Sequence, residues 1–367
     1  MLTVAGAGMA GLVAAARARQ LGVGVVALEK GDRPGGSMAL SSCVVWRYRT
    51  LEEFRRECPG GDAELQALVL ERLDDALAWL ESLGAPVVER ETGNPRTVGR
   101  RFEPRGLTEA LVRAAGRVRL RTALDPAQEP PVVLATGGFA ADLARRHGLL
   151  LRANPWSEGD GLTFARARGA AVTGDLEEFY GRNLPAPPAR IAEDGFVALA
   201  QLYGRFALVL DEGGQELTQE PVSWSEIELV QATARRPGGR AWYVVDGRAL
   251  REWVRGRTVE EMVRAAETAG GEVRWAGSPG ELGLPLPDSP RLREPPFAAV
   301  HVQAAVTHTI GGLRVDTLAR VLDGAAAPIP GLYAAGADVG GISSGGYAGG
   351  LASALVLGLT AAESAAG

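Results

Sequence analysis

Side chains whose ordinary pKa lies close to neutral pH are few in this 367-residue chain. Histidine occurs only three times, as His147, His301 and His308. An imidazole can polarise a carbonyl group or hold a carboxylate near neutral pH. A phenol such as that of Tyr347 can donate a hydrogen bond to a ketone or move a proton. The chain has no CxxC pair of the kind used for metal or redox sites, and the sequence predicts no metal centre. It also has no P-loop lysine.

A glycine-rich turn close to the start of the chain has the pattern of a site that positions a ligand. Residues 2–5 predict a strand, Gly6-Ala7-Gly8-Met9-Ala10-Gly11 follows them, and an apolar helical pattern leads to a second strand that ends in Glu29. The first glycine permits a tight turn, the second lets backbone approach a pyrophosphate, and the third lets the helix pack on the strand. Glu29 follows Gly11 at about the spacing expected of a carboxylate that binds the ribose. Such a carboxylate would repel a 2′-phosphate. This fingerprint predicts a dinucleotide site and leaves FAD and NAD open.

Further segments rich in small residues favour FAD. Gly35–Ser42 follows Glu29 at the place where an NAD-binding unit would usually begin its next helix. Val132–Phe139 and Pro330–Asp338 each predict a strand that ends in a glycine turn, and residues 350–362 predict a small-residue helix. An elongated dinucleotide needs these additional backbone donors. The N-terminus of the last helix would face the flavin pyrimidine, where negative charge develops on reduction.

Together these motifs resemble the FAD-binding fumarate reductase/succinate dehydrogenase flavoprotein superfamily. Within it, the pattern is closer to 3-ketosteroid dehydrogenases and tricarballylate dehydrogenase than to respiratory fumarate reductase. The matching segments are collinear and reach both ends of the chain. They are Gly6–Gly11, Glu29-Lys30, Gly35-Gly36-Ser37, Ala135–Phe139, Gly159-Asp160-Gly161, His308–Leu313 and Gly331–Gly336.

The resemblance implies an α/β fold with two domains. A Rossmann-like FAD-binding domain of the glutathione reductase type would comprise residues 1–178 and 307–367. An α+β capping domain, residues 179–306, would be inserted between its halves. The residues of this insert predict strands at 206–210 and 241–245 and a helix at 259–269.

The resemblance also implies noncovalent FAD, because Ser37 stands where some members carry the histidine that attaches the flavin. Asp160 is expected near the cofactor, although an aspartate at a helix start can simply be an N-cap. The cofactor-binding residues implied are Gly6, Gly8, Met9, Ala10, Gly11, Glu29, Lys30, Gly36, Ser37, Met38, Ser41, Ser42, Ala135, Thr136, Gly137, Asp160, Gly336, Ala337, Asp338, Ala352, Ser353 and Leu355.

The catalytic residues follow from where the chain agrees with the family and where it departs. His308 matches a substrate-binding histidine, whereas His147 and His301 have no such context and are expected to be structural. The arginine that donates a proton in fumarate reductases falls at or near Trp224. The arginine that clamps a dicarboxylate is absent, because no lysine or arginine follows Arg320. Tyr347 occupies that neighbourhood.

Loss of two guanidiniums changes the expected substrate, because a dicarboxylate needs fixed positive charge. Tyr347 and His308 are the predicted catalytic residues, and Trp224, Tyr180 and Trp46 the predicted substrate contacts, with Tyr48 nearby. The sequence therefore predicts hydride transfer with flavin N5 at a CH–CH bond beside a carbonyl, in a neutral, largely apolar molecule. Arg182 and Asn183 are expected to be solvated loop residues, although they could bind an anionic group.

Two other functions stay open at this point. One is an electron-transfer or catalytically degenerate flavoprotein, and the other is an amine or hydroxy-acid oxidase on the same scaffold. The electron donor or acceptor is not identified by the sequence. Acidic pairs such as Glu177-Glu178 are expected to be solvated.

The bulk composition narrows the partners. Net charge is −5 without a charged block, which disfavours nucleic acid and anionic membranes. No segment is apolar and long enough to predict membrane insertion. The two cysteines, Cys43 and Cys58, predict no disulfide framework, and a strand that begins at residue 2 predicts no cleaved signal peptide. These features predict a cytoplasmic protein that acts on a small molecule.

Overall fold

The computed structural model describes residues 1–217, 222–223 and 225–367, and these form two compact units. The first unit contains Met1–Asp142, Ala153–Phe179 and His308–Gly367. The second contains Leu143–Arg152 and the described part of Tyr180–Thr307.

The strands, in chain order, are β1 (Leu2–Ala5), β2 (Val25–Leu28), β3 (Val44–Tyr48), β4 (Val87–Glu89), β5 (Thr97–Phe102), β6 (Val118–Arg119), β7 (Val132–Leu134), β8 (Leu150–Leu151), β9 (Val172–Thr173), β10 (Phe179–Pro185), β11 (Leu208–Leu210), β12 (Arg240–Val245), β13 (Trp253–Val254), β14 (Arg257–Thr258), β15 (Val273–Ala276), β16 (Phe297–Thr309), β17 (Gly312–Leu313), β18 (Arg320–Leu322) and β19 (Pro328–Ala334). The α-helices are α1 (Met9–Gln20), α2 (Gly36–Ala39), α3 (Leu51–Glu57), α4 (Ala63–Ser82), α5 (Pro104–Ala115), α6 (Ala140–His147), α7 (Asp160–Arg166), α8 (Ile227–Ala234), α9 (Gly247–Leu250), α10 (Val259–Thr268) and α11 (Gly350–Ala366).

The first unit is built on a six-stranded sheet in the order β18-β19-β7-β1-β2-β6. Its five strands from β19 to β6 run parallel, and β18 is an antiparallel edge. Val4 on β1 lies between Ala27 and Val133, and β1 is buried along its whole length. Continuous apolar strands of this kind belong inside a parallel sheet covered on both faces. The predicted α/β fold is confirmed.

Two helices cover the central strands and set the position of the glycine turn. α11 is buried from Ala352 to Ala362, because its sequence is apolar on all sides. It packs closely on α1 at Gly358, where a Cβ atom would lie 2.7 Å from the Ala10 carbonyl oxygen. The helix expected over residues 350–362 continues to Ala366.

A small antiparallel sheet in the order β3-β5-β4 also belongs to the first unit. Trp46 on β3 pairs with Gly99 on β5, and a Cβ atom on Gly99 would lie 2.6 Å from the Trp46 Cα. This close approach holds β3 in place and so fixes Trp46 and Tyr48.

The second unit has its own sheet and core. The strand order is β10-β16-β12-β11, and β15 and β8 also pair with β16. Tyr243 on β12 faces Val300 on β16 in antiparallel register, and both are fully buried. α10 begins with a capping box, in which Thr258 and Glu261 satisfy each other's backbone N–H groups. The strand expected at 206–210 is shorter, Leu208–Leu210, and the helix expected at 259–269 is Val259–Thr268.

Residues 143–152 join the second unit because β8 pairs in parallel with β16, with Leu150 opposite Ala305. The predicted domain boundaries assign these residues to the first half. We keep the roles of FAD-binding domain and capping domain for the two units as a proposal. Among the described residues, no helix combines the length and apolarity needed to cross a bilayer.

Candidate functional site

The turn between β1 and α1 shows different uses of its three glycines. A Cβ atom on Gly6 would lie 2.0 Å from the Ala135 carbonyl oxygen, and one on Gly11 would lie 1.9 Å from the Gly6 carbonyl oxygen. These two glycines are required by packing within the protein. A Cβ atom on Gly8 would meet only the Gly36 Cα, at 3.8 Å. The space in front of Gly8 therefore suits the close approach of a ligand.

The N-terminus of α1 supplies the donors for such a ligand. Gly8 is its N-cap, and no side chain caps the first N–H groups of the helix. Unpaired N–H groups and the positive end of the helix dipole attract phosphate. The Gly35 N–H donates to the Ala7 carbonyl oxygen at 2.7 Å and brings the second glycine loop alongside. This arrangement fits the pyrophosphate of FAD.

Glu29 is buried at the end of β2 and its carboxylate is firmly held. Its two oxygens accept the backbone N–H groups of Ala7 and Gly31, each at 2.8 Å. Each oxygen keeps a second lone pair. The predicted role of Glu29 in accepting ribose hydroxyls is compatible with this geometry.

Asp338 ties together the turns that follow β7 and β19. It accepts hydrogen bonds from the Thr136 N–H, from Thr136 Oγ1 at 2.8 Å and from the Gly137 N–H at 3.2 Å. Burial raises the pKa of Asp338 to about 6 despite these donors. Thr136 Oγ1 also accepts the Gly161 N–H at 3.0 Å. Thr136 and Asp338, which are both predicted to bind the cofactor, thus hold each other in position.

Asp160 is not an N-cap. It is the first residue of α7, whereas Gly159 is the N-cap and no side chain caps this helix. The Asp160 carboxylate instead pairs with Lys30 Nζ at 3.0 Å. The capping interpretation of Asp160 is wrong, and its cofactor role stays a prediction.

The other predicted cofactor residues lie on the same turns and helices. Ser41 Oγ donates to the Met38 carbonyl oxygen at 2.8 Å, and Ser353 Oγ donates to the Gly350 carbonyl oxygen at 3.1 Å. Ser42 is exposed, whereas Leu355 is fully buried in the core. Contact of these side chains with FAD stays a prediction.

Tyr347 and His308 come together at the N-terminus of α11. Their ring centroids are 6.3 Å apart in an edge arrangement. The Gly350 N–H donates to the Tyr347 hydroxyl oxygen at 3.0 Å. A Cβ atom on Gly350 would lie 3.1 Å from His308 Cε1. The phenol and the imidazole therefore flank one helix end, whose positive pole stabilises negative charge on the phenolic oxygen.

Trp46 and Tyr48 support Tyr347 from β3. The Trp46 ring lies 6.0 Å from the Tyr347 ring between centroids. Tyr48 is buried, and its hydroxyl donates to the Tyr347 carbonyl oxygen at 3.0 Å. Burial raises the pKa of Tyr48 far above its ordinary value, so this donor stays protonated. The supporting role of Tyr48 was missed from sequence; its only signal is the aromatic pair at alternate positions of one strand.

A further unforeseen contact holds the loop before Tyr347. The Gly345 N–H donates to Glu178 Oε1 at 2.8 Å. Burial raises the pKa of Glu178 above its ordinary value. The expectation that Glu178 is merely solvated is wrong, because its carboxylate anchors the glycine-rich loop.

Burial lowers the pKa of His308 to about 4 from an ordinary value of 6.5. The imidazole is therefore neutral at pH 7. A depressed folded-state pKa stabilises the fold fully above pH 6.5, and this contribution is lost as pH falls toward 4. We expect the melting temperature of the wild type to drop more steeply between pH 7 and 4 than that of His308→Gln. Parallel melting curves across that pH range would contradict this expectation.

Two predicted substrate contacts remain, Tyr180 and Trp224. Tyr180 lies on β10 in the second unit, where the Arg182 guanidinium carbon is 5.2 Å from its ring centroid. Trp224 lies outside the described residues.

Arg182 and Asn183 are buried strand residues, so the expectation of solvated loop residues is wrong. Arg182 donates to the Ser225 carbonyl oxygen at 2.6 Å and lies 3.5 Å from Glu226 Oε2. Asn183 donates to Thr233 Oγ1 and to the Tyr243 hydroxyl, each at 2.9 Å. The second unit therefore contains buried positive charge that the sequence pattern did not reveal.

Comparison with known proteins is consistent with the cofactor geometry. The FAD binding domain family matches residues 2–128 and 127–353. Probable fumarate reductase Ifc3 from Shewanella frigidimarina is 24% identical over 99% of this chain and 74% of its own length.

Solved structures share the fold. The open conformation of a flavocytochrome c3 fumarate reductase superposes with a TM-score of 0.73 at 21% identity, covering 100% of this chain and 78% of that one. The 3-ketosteroid-Δ4-(5α)-dehydrogenase from Rhodococcus jostii RHA1 also gives 0.73, at 20% identity, covering 100% and 96%. From the family match, together with a glycine turn that fits a dinucleotide pyrophosphate, we conclude that the chain belongs to the FAD binding domain family and is an FAD-dependent oxidoreductase.

Proposed function

We propose that this enzyme oxidises or reduces a CH–CH bond beside a carbonyl group in a neutral, largely apolar substrate. The observation that carries the proposal is the Tyr347 phenol at the N-terminus of α11. Its oxygen accepts the Gly350 N–H at 3.0 Å, which holds the phenol at the helix end, and a phenol is a hydrogen-bond donor suited to a ketone. FAD, when bound, supplies the hydride acceptor or donor at flavin N5.

The other residues of the cluster position this donor and shape its surroundings. Tyr48 fixes the backbone of Tyr347, and Trp46 offers an apolar edge beside it. His308 is neutral at pH 7. Its imidazole can therefore form a hydrogen bond with the substrate or accept a proton from it. A neutral imidazole and a phenol suit a ketone better than a dicarboxylate, which needs guanidinium partners.

Two of the superposing structures have names that are compatible with this chemistry. One superposing structure is a 3-ketosteroid dehydrogenase and another is a fumarate reductase. Both names describe redox chemistry at a CH–CH bond, and the first is that of an enzyme acting on a ketone. The phenol and the neutral imidazole are what favour the ketone for this chain, and a separate electron donor or acceptor would complete each cycle.

A specific observation favours a second candidate, in which the substrate carries a carboxylate. In the second unit, Arg205 and Arg255 line a small recess together with Ser223 and Glu226. Burial lowers the pKa of Arg255 to about 10, and the nearby Arg182 is the second cause of this shift. An anionic substrate group would be attracted to such a region.

One experiment separates the two candidates. The flavin is reduced anaerobically and offered a cyclic α,β-unsaturated ketone or fumarate, while flavin absorbance is followed in a stopped-flow instrument. We expect rapid reoxidation by the enone. Reoxidation by fumarate alone would overturn the neutral-substrate proposal and support the second candidate.

The cellular setting is part of the proposal. Cys43 and Cys58 are buried free thiols among the described residues, and burial raises the pKa of the Cys43 thiol to about 12. Thiols that stay reduced agree with the cytoplasmic location that we propose.

A further inference from the structure

Lys30 is the only lysine among 39 lysine and arginine residues in the chain. It directly follows Glu29, the predicted ribose-binding carboxylate, at the end of β2. The other 38 of these residues are arginines. At this one position the chain has an ammonium group in place of a guanidinium group, and the two groups bind carboxylates in different ways.

The Lys30 ammonium bridges two carboxylates at once. Nζ lies 2.5 Å from Glu158 Oε2 and 3.0 Å from Asp160 Oδ2. Partial burial opposes the charge, but these hydrogen bonds and charges prevail and raise the pKa of Lys30 above its ordinary value. An ammonium has three donors around a compact head, whereas a planar guanidinium favours two parallel bonds to one carboxylate. The geometry suits lysine.

Both carboxylates belong to residues 154–161, which we name the clasp segment. This segment touches two turns of the cofactor site. The Asn154 N–H donates to Ser37 Oγ at 3.0 Å, the Gly159 N–H donates to the Gly138 carbonyl oxygen at 3.0 Å, and the Gly161 N–H donates to Thr136 Oγ1 at 3.0 Å. It therefore joins the second glycine loop to the turn after β7.

The clasp segment also covers the turn next to Lys30. The Trp156 ring lies so close to Gly31 that a Cβ atom there would be 2.3 Å from Trp156 Cε3. The Gly31 N–H is one of the two donors that hold Glu29. Movement of the clasp segment would therefore uncover the turn that fixes the predicted ribose-binding carboxylate.

We infer that Lys30 is a positioning residue that locks the clasp segment over the ribose-binding turn and so controls how long FAD stays bound. Without its ammonium, Glu158 and Asp160 would repel each other and would add negative charge near the site of the FAD phosphates. All three side chains are partly exposed, at 29%, 38% and 32%, so we expect little change in global stability. The expected effect is on the opening of one segment and on FAD release.

The test uses the FAD-loaded protein and the variant Lys30→Met, which keeps an unbranched side chain, one atom shorter, and removes its charge. FAD release after dilution is followed by the recovery of flavin fluorescence. We expect release to be about tenfold faster, and Lys30→Arg to fall between the variant and the wild type. Arg105→Met is the matched control, because Arg105 is 87% exposed and pairs only with Glu109 among the contacts described. It should release FAD at the wild-type rate.

A second measurement needs no variant and decides the matter if Lys30→Met does not fold. The wild-type holoprotein is acetylated with an N-hydroxysuccinimide ester, and mass spectrometry separates modification of Lys30 from that of the N-terminus. The rate of FAD release should rise with the acetylated fraction of Lys30. Release within twofold of the wild-type rate, in Lys30→Met or in protein fully acetylated at Lys30, would overturn the inference. Neither measurement involves the substrate, so the proposed function is judged separately.

Discussion

Replacing Tyr347 with phenylalanine is expected to lower kcat with the enone substrate by about 100-fold or more, within the range of general acid–base contributions. The phenol oxygen sits at the N-terminus of α11, where it accepts the Gly350 N–H at 3.0 Å. Phenylalanine keeps the ring that packs against Trp46 and His308 but removes the only O–H we assign to the carbonyl. The fold and bound FAD should therefore remain.

The measurement compares steady-state rates with flavin content determined from absorbance. A catalytic role predicts a fall in kcat with little change in FAD content. Tyr333→Phe is the matched control, because its hydroxyl donates to the Ser364 carbonyl oxygen at 3.3 Å, away from Gly350. If Tyr347→Phe keeps the wild-type kcat, Tyr347 is a wall of the site, and His308 becomes the remaining candidate.

Replacing Gly8 with alanine is expected to weaken FAD binding strongly without unfolding the protein. A Cβ atom on Gly8 meets only the Gly36 Cα at 3.8 Å, so the protein itself tolerates the methyl group. The methyl group would stand between the backbone donors of α1 and the pyrophosphate. Losing charge-assisted hydrogen bonds at about 1.5–3 kcal/mol each corresponds to an affinity roughly 100-fold lower. Titration of the apoprotein with FAD measures this directly.

Gly11→Ala provides the contrast at the same turn. Its Cβ atom would lie 1.9 Å from the Gly6 carbonyl oxygen, which forces α1 away from β1. We expect a loss of stability of about 3 kcal/mol or more, as for severe overpacking. Gly24→Ala is the control, because no atom lies within 4 Å of its Cβ position. Equal melting temperatures for Gly8→Ala and Gly11→Ala would contradict the separation of roles at this turn.

The sequence by itself determined the parallel α/β fold, the family and the cofactor. Gly6–Gly11, Glu29 and the turns after β7 and β19 are local patterns, in which a few adjacent residues dictate the backbone path. A strand that leads into a glycine turn and a helix has few structural solutions, so these motifs could be interpreted without knowing distant contacts. The reading of Asp160 as an N-cap was wrong because its partner, Lys30, is 130 residues away.

Only the tertiary structure decided which side chains meet. Tyr48 and Tyr347 are 299 positions apart, and no local pattern predicts the hydrogen bond between them. The burial of Arg182 beside Glu226 depends on how β10 and the residues before α8 pack in the second unit. Short-range sterics fix turns and strands, whereas proximity between distant side chains depends on the packing of whole elements. For this reason the cofactor and the fold could be predicted from the sequence, while the support of Tyr347, the Lys30 bridge and the buried arginine could not.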